Sequence, residues 1–174
     1  MKGFREIDAK ELNNAMEMIG DDWMLITAKD EEQGRVNAMT ASWGTMGVLW
    51  HKNVCICFVR PQRHTHKLLS EQNRFSIAFF GEEHRDSLKL CGRESGRDMD
   101  KLKTSGLHSL ECDGVPVIEE AKTLLICKKL YEDEIREGCF LDETVMDTYR
   151  AKKDFHTFYV CEIEKVYEKI QETI

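Results

Sequence analysis

Short apolar runs separated by polar turns are the feature that most restricts how this chain can fold. Four of the runs have the length of strands, and the third, VCICFVR, is rich in β-branched and aromatic residues. They occupy residues 23–28, 36–42, 54–60 and 75–80. The helical patterns between them are short and irregularly placed, which disfavours the regular βαβ alternation of a doubly wound sheet. The sequence therefore predicts a mostly β, α+β fold of barrel-like form, with residues 1–174 in a single domain.

Three short helices are predicted beside these strands. Residues 8–20 form an amphipathic pattern in which Asp8 can serve as the N-cap. A second helix is expected to begin near Thr65, a suitable N-cap residue, and a third to cover residues 82–92.

The second half of the chain is less regular. The apolar run at residues 123–135 fits either a strand or a helix, and we favour a strand. Residues 155–168 alternate between apolar and polar side chains, which indicates a final strand. Four apolar residues near the end recur at near-helical spacing and suit either a solvated element or packing across a dimer: Val166, Tyr167, Ile170 and Ile174.

The composition restricts the partners and the compartment. A net charge of −7 in 174 residues leaves no broad basic surface, so neither nucleic acid nor an anionic membrane is expected as a partner. Seven cysteines are an odd number, and their spacing does not suggest a disulfide scaffold. No long apolar segment resembles a signal peptide or a membrane span. We expect a reduced, cytoplasmic protein.

The segment NAMTASWGTMG, residues 37–47, is unusual for a strand and its continuation. A strand built only for packing favours valine, isoleucine and phenylalanine. Here Thr40, Ser42 and the glycines leave the backbone open to close approach, and Trp43 stands among them. The segment therefore predicts a place where a ligand meets the backbone.

A second polar segment, FVRPQRHT at residues 58–65, follows the third strand. Arg60 and Arg63 lie three residues apart, and Thr65 lies where a helix is expected to begin. Helix N-termini and arginines both suit phosphate, so this segment predicts a phosphate cradle to which Thr40 and Ser42 add neutral donors. The alternative is that the arginines pair with surface carboxylates and that Thr65 merely caps its helix.

A third segment, LCGRESGRDMDK at residues 90–101, is glycine-rich and charged. It lacks the GxxxxGK[ST] order of a P-loop, and the chain contains no GxGxxG fingerprint. A classical nucleotide-binding fold is therefore disfavoured, although this loop could still fold over a ligand.

Several cysteines and histidines could serve either in metal or thiol chemistry or as packing residues. Cys55 and Cys57 are two residues apart on a strand, which suits two small buried side chains better than a disulfide. His64 and His66, with Cys91 or His84, lack the recurring spacing of structural zinc sites, and no metal site is predicted. His156 fits either a ligand contact or a buried histidine in the core or an interface.

Four segments in this order, NAMTASWG, VRPQRHT, CGRESGRDMDK and DFHTFYVCEI, resemble the flavin reductase-like family, which shares the FMN-binding split barrel and includes flavoredoxin. The resemblance runs from about residue 23 to residue 166. It implies a split β-barrel with short flanking helices, a homodimer, and FMN held non-covalently near the subunit interface.

The resemblance also implies a set of flavin contacts. Thr65, with Arg60 or Arg63, would hold the phosphate or the ribityl chain, and Lys101 is the first candidate for stabilising charge on the reduced flavin. No catalytic residue is named. The expected flavin-site residues are Asn37, Met39, Thr40, Ala41, Ser42, Trp43, Arg60, Arg63, Thr65, Cys91, Gly92, Lys101 and His156.

The activity implied is electron transfer from NADH or NADPH through flavin to free flavin or a redox protein. Nicotinamide use follows from the resemblance alone. The alternative is a non-enzymatic FMN carrier that a protein partner reduces. A third possibility, a barrel that has lost its cofactor, is disfavoured because the polar residues of all three segments are retained.

Overall fold

A computed structural model describes residues 1–170 of the chain. The strands are β1 (Phe4–Ile7), β2 (Met24–Asp30), β3 (Arg35–Ala41), β4 (Gly44–Leu49), β5 (Lys52–Val59), β6 (Arg74–Phe79), β7 (Ser109–Cys112), β8 (Val115–Ile118), β9 (Thr123–Glu134) and β10 (Thr157–Lys169). The α-helices are α1 (Ala15–Glu17), α2 (His64–Glu71), α3 (Arg85–Arg93), α4 (Lys101–Ser105) and α5 (Glu143–Arg150). Short 3₁₀ turns at Ala9–Glu11, Glu82–His84 and Glu137–Cys139 and a π turn at Met18–Asp22 complete the elements.

Eight of the strands form one sheet in which every pair is antiparallel. The order is β3-β2-β6-β9-β10-β5-β4, and β1 pairs with β10. β7 and β8 form a separate hairpin. The predicted mostly β, α+β fold is confirmed, and so are the predicted strands at residues 123–135 and 155–168, which are β9 and β10.

The two end strands of this order are consecutive in the chain. Within the described residues β3 pairs only with β2, and β4 pairs only with β5. Ser42 and Trp43 join the two strands. The unpaired edge of β3 therefore ends at this two-residue junction, and the unpaired edge of β4 begins there.

The sheet is buried on both faces. Alternate residues of a strand point to opposite faces, and Leu25 and Ile26 of β2 accordingly belong to different hydrophobic clusters. Leu25 packs in the cluster that contains Leu88 of α3 and Val117 of β8, whereas Ile26 packs with Phe75 and other inward-facing residues. Burial on both faces makes the sheet a rigid support for the loops at its edges.

Several local predictions were wrong. Residues 8–20 do not form one helix, because Asn14 accepts a hydrogen bond from the backbone of Met16 and starts α1 anew, after Asp8 has capped the preceding 3₁₀ turn. Thr65 is not an N-cap: α2 begins one residue earlier, at His64, with Arg63 in the capping position. Strands β1, β4, β7 and β8 and helix α5 were not predicted. Of the near-helical C-terminal series, Val166 and Tyr167 lie in β10, and Ile174 lies outside the described residues.

None of the helices within residues 1–170 combines the length and the apolar composition needed to cross a bilayer.

Candidate functional site

A pocket of about 260 Å³ lies at the junction of β3 and β4. One wall is the end of β3 with the two linking residues, and the other is the end of β5, the loop after it and the residue before β10. The lining residues are Met39, Thr40, Ala41, Ser42, Trp43, Phe58, Arg60, Arg63 and His156. All but Phe58 were predicted from the sequence.

The end of β3 presents backbone and small side chains to the pocket. Its outer edge has no strand partner within the described residues, so its N–H and C=O groups can bond to a ligand. Ala41 and Ser42 add little bulk in front of that edge. The Thr40 hydroxyl, expected to be a ligand donor, instead donates to the carbonyl of Leu88 at 2.6 Å and ties β3 to α3.

Aromatic rings form one wall of the pocket. The indole of Trp43 lies 5.0 Å from the imidazole of His156, measured between ring centroids, and Phe58 meets the same imidazole edge-on at 6.3 Å. Trp43 remains 46% exposed, which leaves part of the indole available to a ligand. Such a wall suits a flat, partly apolar ligand.

His156 is neutral and is hydrogen-bonded to a residue of α5. Its Nδ1 lies 2.7 Å from the hydroxyl of Tyr149, a buried residue of α5. Burial, aided by the nearby charge of Arg60, lowers the pKa of His156 to about 4. The imidazole therefore carries no charge at neutral pH.

Arg60 is paired with a carboxylate of the chain. Its guanidinium forms an ion pair with the carboxylate of Asp154, which also accepts a hydrogen bond from Gln62 at 2.6 Å. The same guanidinium lies 5.3 Å from the ring centre of Tyr149. Arg60 thus forms the kind of carboxylate pair that the alternative to a phosphate cradle predicts, although it also lines the pocket.

Arg63 has a different set of partners. Its guanidinium donates to the carbonyl of Gly92 at 2.5 Å and to that of Cys91 at 3.1 Å, and the ammonium of Lys101 donates to the Cys91 carbonyl at 3.2 Å. These carbonyls belong to the last turn of α3, where cations interact favourably with the helix dipole.

No carboxylate of residues 1–170 forms an ion pair with Arg63 or Lys101. Burial lowers the pKa of Arg63. Burial also lowers the pKa of Lys101 to about 8, and the like charge of Arg63 acts in the same direction. A buried lysine beside a half-buried arginine, with no carboxylate paired to either, is costly, and a bound anion would relieve that cost.

The remaining predicted residues lie beside the pocket and do not line it. Asn37 and Thr65 are buried beneath it and joined by a hydrogen bond of 2.8 Å from the amide to the hydroxyl. A side chain at Gly96 would overlap Oδ1 of Asn37, so the loop after α3 covers this pair directly. Cys91, Gly92 and Lys101 lie behind the pocket wall, where Arg63 donates to the carbonyls of Cys91 and Gly92 and Gly92 lies against Thr40.

The residues weighed for a metal site do not converge. Nε2 of His64 contacts Asp30 at 2.6 Å, whereas Nε2 of His66 contacts the hydroxyl of Thr157 at 2.9 Å. Cys55 and Cys57 are buried, as expected for packing residues.

A family model described as the flavin reductase like domain matches residues 16–173. The chain belongs to the flavin reductase-like family.

Solved structures share the fold of this chain. An FMN-binding protein from Thermus thermophilus with bound 1-cyclohex-2-enone is 25% identical, with a TM-score of 0.65, over 94% of this chain and 80% of that one. Flavoredoxin from Methanosarcina acetivorans is 20% identical, with a TM-score of 0.66, over 97% and 79%. The styrene monooxygenase flavin reductase from Pseudomonas putida S12 is 18% identical, with a TM-score of 0.65, over 87% and 81%. No curated protein sequence matches significantly. The predicted split β-barrel is confirmed.

Sequence reasoning within this flavin reductase-like chain missed two residues next to the pocket. Phe58 is two positions before Arg60 at the end of β5, so the period of a strand could have placed both on one face. Tyr149 lies on a helix that the sequence did not indicate, and no local pattern links it to His156.

Proposed function

We propose that this chain is an FMN-binding oxidoreductase that passes electrons from NADH or NADPH through bound flavin to an acceptor. The single observation that carries the proposal is a combination found within residues 1–170. The pocket has a strand edge without a strand partner, and beside it lie the half-buried Arg63 and the buried Lys101, neither of which pairs with a carboxylate. Family membership supplies the class of reaction, and the pocket supplies the reason to expect FMN.

The residues present fit the two chemical demands of FMN. The flavin ring is flat and has alternating hydrogen-bond donors and acceptors along one edge, which the N–H and C=O groups of the β3 edge can match. Trp43 offers a face against which such a ring can pack. The phosphate is an anion, Arg63 can supply charge-assisted donors for it, and Lys101 adds positive charge behind Arg63.

When bound, FMN would supply the redox chemistry, which no side chain of the pocket can perform. The chain would bind and orient it. The β3 edge fixes the plane of the ring, Arg63 anchors the phosphate, and Trp43 with Phe58 excludes water. Because His156 is uncharged, it adds a hydrogen-bonding group beside the ring without adding positive charge.

The position of Lys101 changes the role proposed for it. From the sequence, Lys101 is a candidate for stabilising charge on the reduced ring. In the structure its ammonium lies at the end of α3, on the same carbonyl as Arg63. We therefore assign Lys101 to the phosphate side of the site.

The test is an absorbance spectrum of the FMN-loaded protein, recorded before and after anaerobic addition of NADH and then NADPH. Rapid bleaching by one nucleotide would establish the enzyme and its donor. A flavin spectrum that neither nucleotide changes would contradict the enzyme and favour the carrier that a protein partner reduces. A protein that takes up no FMN would contradict both functions.

We also propose a homodimer. Among the described residues one backbone edge of β4 has no strand partner, and Val48 in β4 and Trp50 just after it are 74% and 54% exposed. An exposed edge with large apolar side chains is a common place for chains to associate. Replacing Val48 with lysine should shift the mass measured by light scattering from dimer to monomer, whereas a wild-type protein that is monomeric at all concentrations would contradict the proposal.

The cytoplasm is the compartment that we propose. All seven cysteines are free thiols, and two of them, Cys55 and Cys127, lie with their sulfur atoms 3.5 Å apart without forming a disulfide. Reduced thiols are typical of the cytoplasm. Thiol titration of protein purified from its source under denaturing conditions should find all seven reactive, and stable disulfides would contradict this.

A further inference from the structure

We propose that Tyr149 is the positioning residue that fixes His156 in the Nε2–H tautomer, so that the imidazole donates a hydrogen bond to a carbonyl oxygen of a ring bound against Trp43. This inference rests on the proposed function for the identity of the ring. The tautomer itself is a property of the chain and can be measured without any ligand.

The direction of the hydrogen bond follows from the surroundings of the tyrosine. The hydroxyl of Tyr149 lies 2.7 Å from Nδ1 of His156, and the residue is 3% exposed. Within residues 1–170 this hydroxyl has no second hydrogen-bond partner, and a buried hydroxyl nearly always donates. Burial also raises the pKa of Tyr149, so the hydroxyl keeps its proton. Nδ1 is therefore the acceptor, and the proton of the neutral imidazole resides on Nε2.

Nε2 of His156 is open to solvent, and the residue lines the pocket. His156 is one of the lining residues, and the described part of the chain provides no hydrogen-bond partner for Nε2. Nδ1 of His64 is sealed from solvent without a partner, whereas Nε2 of His156 is accessible to solvent. The Nε2–H group is thus available to a ligand, next to an indole 5.0 Å away.

Tyr149 is itself held rigidly. Its ring stacks on Phe155 at 5.0 Å and contacts Phe140 at 5.7 Å, both in the segment between β9 and β10. Arg60 covers another part of the ring at 5.3 Å. The packing of this segment therefore determines where the hydroxyl lies and, through it, which way the imidazole points.

The charged groups around His156 keep the ring neutral. Arg60, from the end of β5, opposes protonation, and Asp154, from the loop before β10, favours it. Tyr149 on α5 adds a hydrogen bond that only the neutral Nδ1 can accept. Because Arg60 and Asp154 are paired with each other, their effects largely cancel, and burial with the tyrosine bond decides the state of the ring.

The test is nitrogen-15 NMR of histidine-labelled protein, in wild type and in Tyr149→Phe, with and without FMN. We expect wild-type His156 to show an unprotonated Nδ1 and a protonated Nε2. In Tyr149→Phe we expect a mixture of tautomers and a pKa shifted upward, toward the usual range of histidine. Tyr131→Phe is the matched control, since it removes the hydroxyl of an exposed tyrosine that bonds to Asp133. A protonated Nδ1 in wild type, or an unchanged tautomer in Tyr149→Phe, would overturn the proposal.

Ligand affinity gives a second readout. If the protein binds FMN, Tyr149→Phe should weaken that binding roughly 2- to 10-fold, the value of one net hydrogen bond, whereas Tyr131→Phe should leave it within about twofold. An FMN affinity that Tyr149→Phe leaves unchanged would overturn the donation assigned to the imidazole. If the protein binds no flavin, the proposed function fails, but the NMR result still decides whether Tyr149 fixes the tautomer.

Discussion

The two arginines of the pocket are three residues apart in sequence and have opposite electrostatic surroundings. Arg60 is paired with Asp154 and packed on Tyr149. Within residues 1–170 the guanidinium of Arg63 donates hydrogen bonds only to the carbonyl oxygens of Cys91 and Gly92. We call the surroundings of Arg60, with Asp154, Tyr149 and His156, the paired side, and those of Arg63, with Lys101, the unpaired side.

This difference separates a charge that is paired within the protein from charges that are free to bind a ligand. On the paired side the positive charge of Arg60 is neutralised by Asp154, and the guanidinium packs against the ring of Tyr149. On the unpaired side the half-buried Arg63 and the buried Lys101 share a helix end and pair with no carboxylate among the described residues, so a phosphate bound there would be attracted by both charges. Sequence spacing alone gives the two arginines the same weight.

The largest expected effect is on the unpaired side. Arg63→Met should weaken FMN binding about 10- to 100-fold, because charge-assisted hydrogen bonds to the phosphate are lost, and should change riboflavin binding much less. Fluorescence titration with both ligands measures the two changes. Arg93→Met is the control, since Arg93 is exposed and paired with Glu94. Equal losses for FMN and riboflavin would remove Arg63 from the phosphate site.

The next effect is the pH dependence of stability that Lys101 causes. The pKa of Lys101 is about 8 in the folded protein, against the ordinary lysine value of 10.5 that applies when the chain is unfolded. Between these two values the unfolded chain binds more protons, so wild-type stability rises with pH. Lys101→Met should therefore stabilise the protein at neutral pH by of order 1–2 kcal/mol relative to wild type, and this advantage should vanish once the pH exceeds the ordinary lysine pKa.

Chemical denaturation at several pH values measures this advantage. Lys103→Met provides the matched control, because Lys103 is an exposed lysine of the same helix. An advantage of Lys101→Met that stays constant with pH would show that the ammonium is not destabilised by burial. Added phosphate should reduce the advantage, since the anion neutralises Lys101 in the wild type.

A smaller and unselective effect is expected on the paired side. Asp154→Asn leaves Arg60 without its counter-charge and should lower stability by about 0.5–1 kcal/mol, as for other partly exposed ion pairs. FMN and riboflavin affinities should change by the same factor, less than about fivefold. Selective loss of FMN in this variant would mean that Arg60 also holds the phosphate, and the distinction between the two sides would fail.

The smallest effect is spectroscopic. In a Trp23→Phe, Trp50→Phe variant only Trp43 emits, and FMN binding should quench that emission because the indole borders the pocket. Trp43→Phe, with Trp23 and Trp50 intact, shows how much quenching arises elsewhere. Unchanged Trp43 emission at saturating FMN would place the flavin ring away from this wall.

Much of the site was predictable because it is local in sequence. Residues 39–43 form one stretch whose small and hydroxyl side chains already indicate an open backbone, and strand periodicity would have added Phe58. The distinction between Arg60 and Arg63 was not predictable, because Asp154 is 94 positions from Arg60. The roles of Asn37 and Thr65 were obscured likewise, since only the folded chain brings these two residues into a buried hydrogen bond.

The fold was predictable where strands are long and apolar and not where they are short or exposed. β9 and β10 combine length with alternation, whereas β4 is mostly exposed and reads as a loop. Helix α5 buries only Met146 and Tyr149, too few apolar positions to indicate a helix. The sequence therefore did not predict α5, the helix that carries Tyr149.

The most direct test of the central claim is a paired titration of the wild-type protein with FMN and with riboflavin, at low and at high salt. We expect FMN to bind at least about tenfold more tightly, with a preference that falls as salt screens the phosphate contacts. Equal affinities for the two ligands, independent of salt, would contradict the assignment of the unpaired side to a phosphate and with it the proposed site.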